Sequence, residues 1–109
     1  MPKESLSSLT EPMYYVLLAL TEPLCGTEIM EKVRVLSHER LSIGPGTLYT
    51  MLAKFEDNGL IEPADHPSPG SGKRKNYLIT EKGAWMLKAE YSRLKRQTED
   101  GKDIMEALG

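Results

Sequence analysis

The sequence has one cysteine and two histidines, and this scarcity excludes several kinds of site. Cys25 is the only thiol among 109 residues, and His38 and His66 are the only imidazoles. A lone cysteine cannot form an internal disulfide, and the set is too small for a cysteine-based or three-histidine zinc site. A free thiol is typical of a reducing compartment, so we expect a cytoplasmic protein. We expect Cys25 to be a small buried apolar residue rather than a redox sensor.

Long apolar runs are also missing. The longest run of aliphatic residues is residues 16–20, whereas a membrane span needs about 20 apolar residues. Residues 1–4 are not followed by an apolar stretch, so we expect no signal peptide and no membrane partner. The sequence has no phosphate-binding glycine loop, nucleophile–base pair or metal-ligand spacing, so we expect neither an enzyme nor a bound metal or cofactor.

The net charge of −2 conceals a segregation along the chain. Residues 1–66 carry 5 basic and 10 acidic side chains, residues 67–96 carry 8 and 2, and residues 97–109 carry 1 and 4. A concentrated basic segment allows an acidic protein to bind a polyanion locally. The alternative is that these cations form a solvated helix face.

Three helices are predicted in the first half of the chain from apolar residues spaced i, i+3, i+4, i+7. The first begins at Thr10, which can cap it, and ends before Pro23. The second covers residues 26–36. The third covers residues 45–58, with Pro45 at its first position and Gly59 after its end.

A hairpin with a basic edge is predicted next. Residues 60–61 and 77–79 are short apolar runs, and residues 67–72, PSPGSG, separate them as a loop. Lys73, Arg74 and Lys75 lie where the loop rejoins the second strand. Three adjacent like charges repel one another, which favours binding to an anionic partner. The alternative is a cluster that keeps the protein soluble.

The last predicted helix starts after Thr80 and carries a heptad stripe, which is typical of helix pairing. The stripe consists of Ala84, Leu87, Tyr91, Leu94, Thr98, Gly101, Met105 and Leu108. A helix over residues 81–108 would be about 42 Å long, whereas a globule of this size has a radius of gyration of about 13 Å. Such a helix needs a partner chain. A kink or break near Asp100 and Gly101 stays open, because glycine costs about 1 kcal/mol in a helix.

This order of elements is that of a winged helix-turn-helix with a C-terminal dimerisation helix, and the sequence resembles the PadR-like family of transcriptional regulators. The similar stretches are LTEPMYYVL at residues 9–17, GTEIM at 26–30, GPGTLY at 44–49, GLI at 59–61 and YLITEKG at 77–83. The resemblance covers residues 9–95, and the short C-terminal region resembles the compact subfamily with a single dimerisation helix. It implies a mainly α fold with a small two-stranded β-wing. We expect residues 1–80 to form the DNA-binding part and residues 81–109 the dimerisation helix, packed on the same single domain.

The leading hypothesis is a homodimeric repressor that binds a palindromic operator in double-stranded DNA. The second helix of a helix-turn-helix enters the major groove. The predicted DNA contacts are Pro45, Gly46, Thr47, Tyr49, Thr50, Lys54, Lys73, Arg74 and Lys75. The predicted dimer interface contains Met13, Tyr14, Leu17, Leu87, Tyr91, Leu94, Met105 and Leu108. Because no arginine, asparagine or glutamine precedes Asn58 on the third helix, we expect shape and spacing to dominate specificity over bidentate base contacts.

Two further points stay open. The hypothesis leaves room for a small hydrophobic or aromatic effector that relieves repression by favouring another dimer geometry. The alternative function is a winged-helix module that binds proteins without specific DNA binding, which the net negative charge would permit. The wing cations discriminate between the two, because a protein-binding module has less need for them.

Overall fold

The computed structural model of the protein describes residues 8–109 and contains four helices and three short strands. In chain order they are α1 (Glu11–Ala19), β1 (Leu24–Cys25), α2 (Gly26–Leu36), α3 (Pro45–Asp57), β2 (Ile61–Pro63), β3 (Asn76–Ile79) and α4 (Glu81–Leu108). Residues 1–4, where we expect no signal peptide, lie outside the described residues. Between residues 8 and 109, no helix has both the length and the apolar character needed to cross a membrane.

The helix starts follow the capping signals in the sequence. Thr10 accepts a hydrogen bond from the Met13 N–H at the start of α1 (3.4 Å), and Thr80 accepts one from the Gly83 N–H at the start of α4 (3.0 Å). At α2 the Glu28 carboxylate accepts from the Cys25 N–H (2.9 Å). Each bond satisfies one of the N–H groups that a helix start leaves without an intrahelical acceptor.

The sheet has one strand more than the two-stranded wing predicted from the sequence. Its order is β1-β3-β2, and both pairings are antiparallel. Leu24 and Cys25 of β1 lie opposite Tyr77 and Asn76 of β3. A two-residue strand has no periodicity that a sequence could reveal. It is recognised only by its pairing with β3, which supplies partners for the backbone groups on that side of β3.

One core joins the helices to the sheet. Its fully buried members are mainly the predicted inner faces of the first three helices: Val16, Leu17, Leu20, Ile29, Val33, Leu48, Leu52, Phe55 and Leu60. Cys25 is fully buried with them, as expected for a small apolar residue. Burial of each large aliphatic or aromatic side chain contributes about 1.5–3 kcal/mol, so this core holds the three helices in a defined arrangement.

The last helix is continuous through Gly101 and extends away from the body. It runs unbroken over 28 residues, about 42 Å at 1.5 Å per residue. The chain is correspondingly elongated, with extents of 54 × 35 × 23 Å. Leu87 is buried against the body, whereas from residue 94 to the end of the chain every residue is exposed except Gly101, which is half-buried. The second half of α4 therefore lacks cover from the described part of its own chain.

Candidate nucleic-acid interface

Helix α3 separates an apolar face from an exposed polar face. Leu48, Met51, Leu52 and Phe55 are buried, and Thr47, Tyr49 and Thr50 are exposed. The exposed face lies over the first two turns, and neither turn contains an acidic residue. Lys54 follows one turn later and is half-buried. This face offers hydroxyl groups and a cation, and it has no carboxylate until Glu56.

The beginning of α3 is open. Gly44 caps the helix without a side-chain hydrogen bond, and Pro45 occupies the first turn. A Cβ added at Gly46 would meet no atom within 4 Å among the described residues. The N–H groups of the first helical turn have no intrahelical acceptors, so together with the helix dipole they favour an anion at this end.

Tyr49 leans across to the start of α2. Its side chain is 52% exposed, yet its hydroxyl oxygen would lie only 2.4 Å from a Cβ built on Gly26. The tip of the ring therefore rests on Gly26, while half of the side chain stays accessible to solvent.

The three cations of the wing are exposed, with different surroundings. The Lys75 Nζ lies 3.6 Å from the Glu56 carboxylate and 5.1 Å from the centre of the Tyr77 ring. Arg74 donates from Nη1 to the Thr27 hydroxyl (3.4 Å). Lys73 forms no ion pair with any residue from 8 to 109. Exposed pairs of this kind contribute at most about 1 kcal/mol, so Lys75 can exchange Glu56 for a stronger anion.

The wing and α3 meet at the start of α2. Tyr49 of α3 rests on Gly26, Arg74 of the wing reaches the adjacent Thr27, and Lys75 pairs with Glu56 near the end of α3. The structure thus brings most of the predicted DNA-contacting residues into one continuous exposed region. We call the predicted DNA contacts of α3 and the wing together the basic face: Pro45, Gly46, Thr47, Tyr49, Thr50, Lys54, Lys73, Arg74 and Lys75. Burial raises the pKa of Tyr77 beneath it, and the neighbouring Lys75 opposes that rise.

The loop between β2 and β3 is folded back on itself by residues that the sequence did not single out. Asn76, almost fully buried, accepts from the Ser68 N–H and donates to the Arg74 carbonyl (3.0 Å each). Ser71 is also buried, and its hydroxyl donates to the Ser68 carbonyl (2.8 Å). The Ser68 hydroxyl donates to Glu28 of α2 (2.5 Å). No periodicity marks these residues, because they act through contacts between distant parts of the chain.

The residues predicted for the dimer interface lie in different environments. Leu17 is fully buried within its own chain, so its side chain has no accessible surface for the predicted contact with a partner. Met13 lines a shallow groove with Gly46 and Thr47, at the beginning of α3. The remaining members lie on α1 and α4: Tyr14, Leu87, Tyr91, Leu94, Met105 and Leu108.

An apolar groove runs between α1 and α4. Tyr14 and Leu18 line it from α1, and Leu87 and Tyr91 line it from α4. Burial raises the pKa of the Tyr14 phenol, with Tyr91 and Tyr15 nearby adding to the effect. Tyr91 is 58% accessible, and beyond the groove the apolar members of the stripe are exposed as well, with Leu94 38%, Met105 64% and Leu108 73% accessible. Such a strip of apolar surface is typical of an interaction site.

We compared the sequence with models of protein families and the structure with solved structures. The model of the transcriptional regulator PadR-like family matches residues 16–89, more than half of the chain. No curated protein matches the sequence. Among solved structures, a PadR family transcription regulator from hypervirulent Clostridium difficile is similar, with a TM-score of 0.71 and 20% identity, over 88% of this chain and 99% of that one.

Two other solved structures are similar over most of their length. A PadR-like transcriptional regulator from Bacillus cereus has a TM-score of 0.69 and 21% identity, over 86% of this chain and 89% of that one. A PadR-like transcription factor from Bacteroides fragilis has a TM-score of 0.65 and 28% identity, over 85% and 87% of the two chains. The winged-helix fold is therefore shared.

Proposed function

This chain belongs to the PadR-like family of transcriptional regulators, and we propose that it is a homodimeric repressor that binds a palindromic DNA operator through its basic face. The observation that carries the proposal is the junction at the start of α2, where the exposed side of α3 and the wing meet. In this arrangement α3 enters the major groove with its first two turns toward the bases. The wing cations contact the phosphate backbone or an adjacent groove.

Each part of the basic face has a separate role in this proposal. The open start of α3, with Pro45 and Gly46, receives a phosphate on its free N–H groups. Thr47, Tyr49 and Thr50 contact base edges or thymine methyl groups. The Thr50 hydroxyl already donates to the Gly46 carbonyl (3.0 Å), which leaves it an acceptor toward the DNA. Lys54 contacts a phosphate farther along the helix.

The cations of the basic face predict how strongly the affinity for DNA depends on salt concentration. If Lys54 and the three wing cations each neutralise one phosphate in both protomers, about eight phosphates are contacted. The slope of log K against log salt concentration is then about −7, from about −0.9 per phosphate.

The test is fluorescence anisotropy with a duplex from upstream of the protein's own gene and a scrambled duplex, over a salt series. Wild type should bind the first duplex tightly and with the steep slope, whereas Lys73→Ala/Arg74→Ala/Lys75→Ala should bind it only weakly, with a slope of about −2. The matched control Lys73→Arg/Arg74→Lys/Lys75→Arg retains the charges and should retain the slope. An absence of binding to either duplex at low salt would contradict the proposal and favour a protein partner.

The dimer part rests on the exposed apolar stripe of α4. Its second half has no cover from residues 8–109, and the stripe continues from the α1–α4 groove to Leu108. Charge favours an antiparallel pairing with a second copy. Residues 82–96 carry five cations and one acid, and residues 97–108 carry four acids and one cation, so antiparallel helices would place segments of opposite net charge side by side.

The oligomeric state tests this part. Wild type should sediment at twice the 12.2 kDa chain mass, and Leu94→Glu/Met105→Glu should sediment as a folded monomer. The control Ala89→Glu/Ala107→Glu adds the same two charges outside the stripe and should stay dimeric. A monomeric wild type at micromolar concentration would contradict the proposed dimer.

A small hydrophobic or aromatic effector, if one relieves repression, would fit the groove between α1 and α4. A ligand there would contact Tyr14 and Tyr91 and change the spacing between the helices that carry the dimer interface. It acts only if it binds the DNA-free geometry more tightly than the DNA-bound one. A ligand that binds the protein but leaves operator affinity unchanged would not be such an effector.

A further inference from the structure

Glu28 has a double role at the start of α2. One carboxylate oxygen, Oε1, accepts the Cys25 N–H (2.9 Å) and also the Ser68 hydroxyl (2.5 Å). The first bond caps α2. The second joins α2 to a residue 40 positions along the chain, in the loop between β2 and β3, which we call the wing loop. The other oxygen, Oε2, lies 3.3 Å from the position that a Cβ on Gly70 would occupy. A single carboxylate therefore joins the wing loop to the helix-turn-helix.

From Ser68 the wing loop is connected onward to its cations. The Ser68 carbonyl accepts from the Ser71 N–H and hydroxyl, and the Ser71 carbonyl accepts from the Arg74 N–H (3.1 Å). These bonds run from the Glu28 contact to the middle of the three cations. The Arg74 guanidinium then returns to Thr27, the neighbour of Glu28. The loop is therefore bonded to the first turn of α2 at two points, Ser68 to Glu28 and Arg74 to Thr27.

We propose that Glu28 and Ser68 are positioning residues that fix the basic wing relative to the DNA-reading helix α3. The inference rests on the proposed DNA-binding function and adds a specificity-determining contact to it. Three cations on an untethered loop would search many orientations, and ordering them on DNA would cost conformational entropy. The Glu28–Ser68 bond already orders the loop in the free protein, so less conformational entropy is lost when DNA binds. The pre-organised wing then binds phosphates whose spacing relative to the major groove is already set.

Ser68→Ala is the discriminating substitution, because it removes the Glu28 bond to the loop between β2 and β3 and leaves the Cys25–Glu28 cap in place. Without DNA, we expect trypsin to cleave after residues 73–75 at least several times faster in Ser68→Ala than in wild type, with an unchanged melting temperature. Ser68→Thr retains a hydroxyl and should restore the wild-type rate. Equal cleavage rates in wild type and Ser68→Ala would overturn the inference.

With the operator duplex, Ser68→Ala should weaken binding about tenfold and make the salt slope shallower by about 2, as if two phosphate contacts were lost. In the background Lys73→Ala/Arg74→Ala/Lys75→Ala, the same substitution should have no further effect, because there are no wing cations left to position. An undiminished tenfold loss in that background would overturn the inference, since Ser68 would then act on DNA directly. Faster cleavage without any DNA binding by wild type would refute the proposed function and leave the tether itself established.

Discussion

The hydroxyl oxygen of Tyr49 occupies the space that a side chain at residue 26 would need. A Cβ on Gly26 would lie 2.4 Å from that oxygen and 3.0 Å from the ring carbon that carries it. Gly26 is the first residue of α2 and Tyr49 lies in the second turn of α3. The two helices of the helix-turn-helix can approach this closely because residue 26 has no side chain. The position of the exposed Tyr49 ring therefore depends on the buried Gly26.

Exchange of Gly26 for alanine should therefore have opposite effects in two backgrounds. In wild type, Gly26→Ala displaces the Tyr49 side chain and should lower the free energy of unfolding by up to about 1 kcal/mol, a small cost because the ring can swing outward. In Tyr49→Ala the obstacle is gone, and Gly26→Ala should be neutral or stabilising by about 0.5–1 kcal/mol, because alanine restricts the unfolded chain. Urea denaturation of the four proteins measures the coupling. Identical effects in the two backgrounds would show that the residues are independent.

Two glycines of α4 should respond oppositely to the same substitution. A Cβ on Gly83 would lie 2.1 Å from the Leu60 carbonyl oxygen, whereas one on Gly101 would meet nothing within 4 Å among the described residues. We expect Gly83→Ala to destabilise the protein by about 3 kcal/mol or prevent folding, since backbone must move. Gly101→Ala should raise the helix content and stabilise the chain by about 1 kcal/mol. Circular dichroism and urea midpoints report both, and a destabilising Gly101→Ala would indicate that a partner chain approaches that position closely.

The ends of α2 and α3 share one hydrogen-bond pattern, although Glu39 after α2 also has a positive φ (64) and Leu60 after α3 does not. After α2, His38 (φ 54) and Glu39 donate to the carbonyls of Val35 and Arg34. After α3, Gly59 (φ 72) and Leu60 donate in the same way to Glu56 and Phe55. Both are Schellman endings, which favour glycine at the first of these positions.

This pair predicts that His38→Gly stabilises the protein by about 0.5 kcal/mol, because the backbone strain of a left-handed histidine outweighs the added freedom of the unfolded chain. Gly59→Ala should destabilise it by about 1 kcal/mol for the converse reason. Urea unfolding of each variant measures these changes as a shift of the midpoint. The dependence of the unfolding free energy on urea concentration should stay that of wild type. If His38→Gly is destabilising, the histidine side chain makes a stabilising contact that outweighs its conformation.

The ionisation of Glu28 should report the state of the wing. Its pKa is held below the ordinary value of 4.5, first by the Cys25 N–H and next by the Ser68 hydroxyl. Because the folded pKa is depressed, this carboxylate contributes stability above about pH 4.5 that is lost as the pH falls through the folded pKa. In Ser68→Ala we expect the pKa to rise but to stay below 4.5, since the larger cause remains. Carbon-detected NMR titration of the side-chain carboxyl measures both, and an unchanged pKa in Ser68→Ala would show that the bond is absent in solution.

Local patterns along the chain were enough to predict most of the elements. The capping threonines, the i, i+3, i+4, i+7 spacing and Pro45 placed the four helices, and the buried face of α3 is the predicted one. The resemblance carried by GPGTLY at residues 44–49 also led to the right family. These features are local, because caps, breakers and helix periodicity act within a few residues of one another.

Contacts between distant residues escaped prediction. Strand β1 forms only because β3 arrives beside it, and two residues carry no pattern of their own. The tether from Glu28 to Ser68 and the approach of Tyr49 to Gly26 each depend on which helix turn faces which loop. The continuity of α4 through Gly101 was open because a cost of about 1 kcal/mol does not decide the state of a 28-residue helix.

By itself, the sequence determined where the four helices begin, which faces the first three bury, and that eight of its fourteen cations are concentrated in residues 67–96. Tertiary structure alone decided that the wing is bound to α2 and lies beside the exposed side of α3. Capping and periodicity are short-range effects written into neighbouring residues. The placement of one surface element against another depends on packing and hydrogen bonds between residues far apart in the chain, and these exist only once the core has formed.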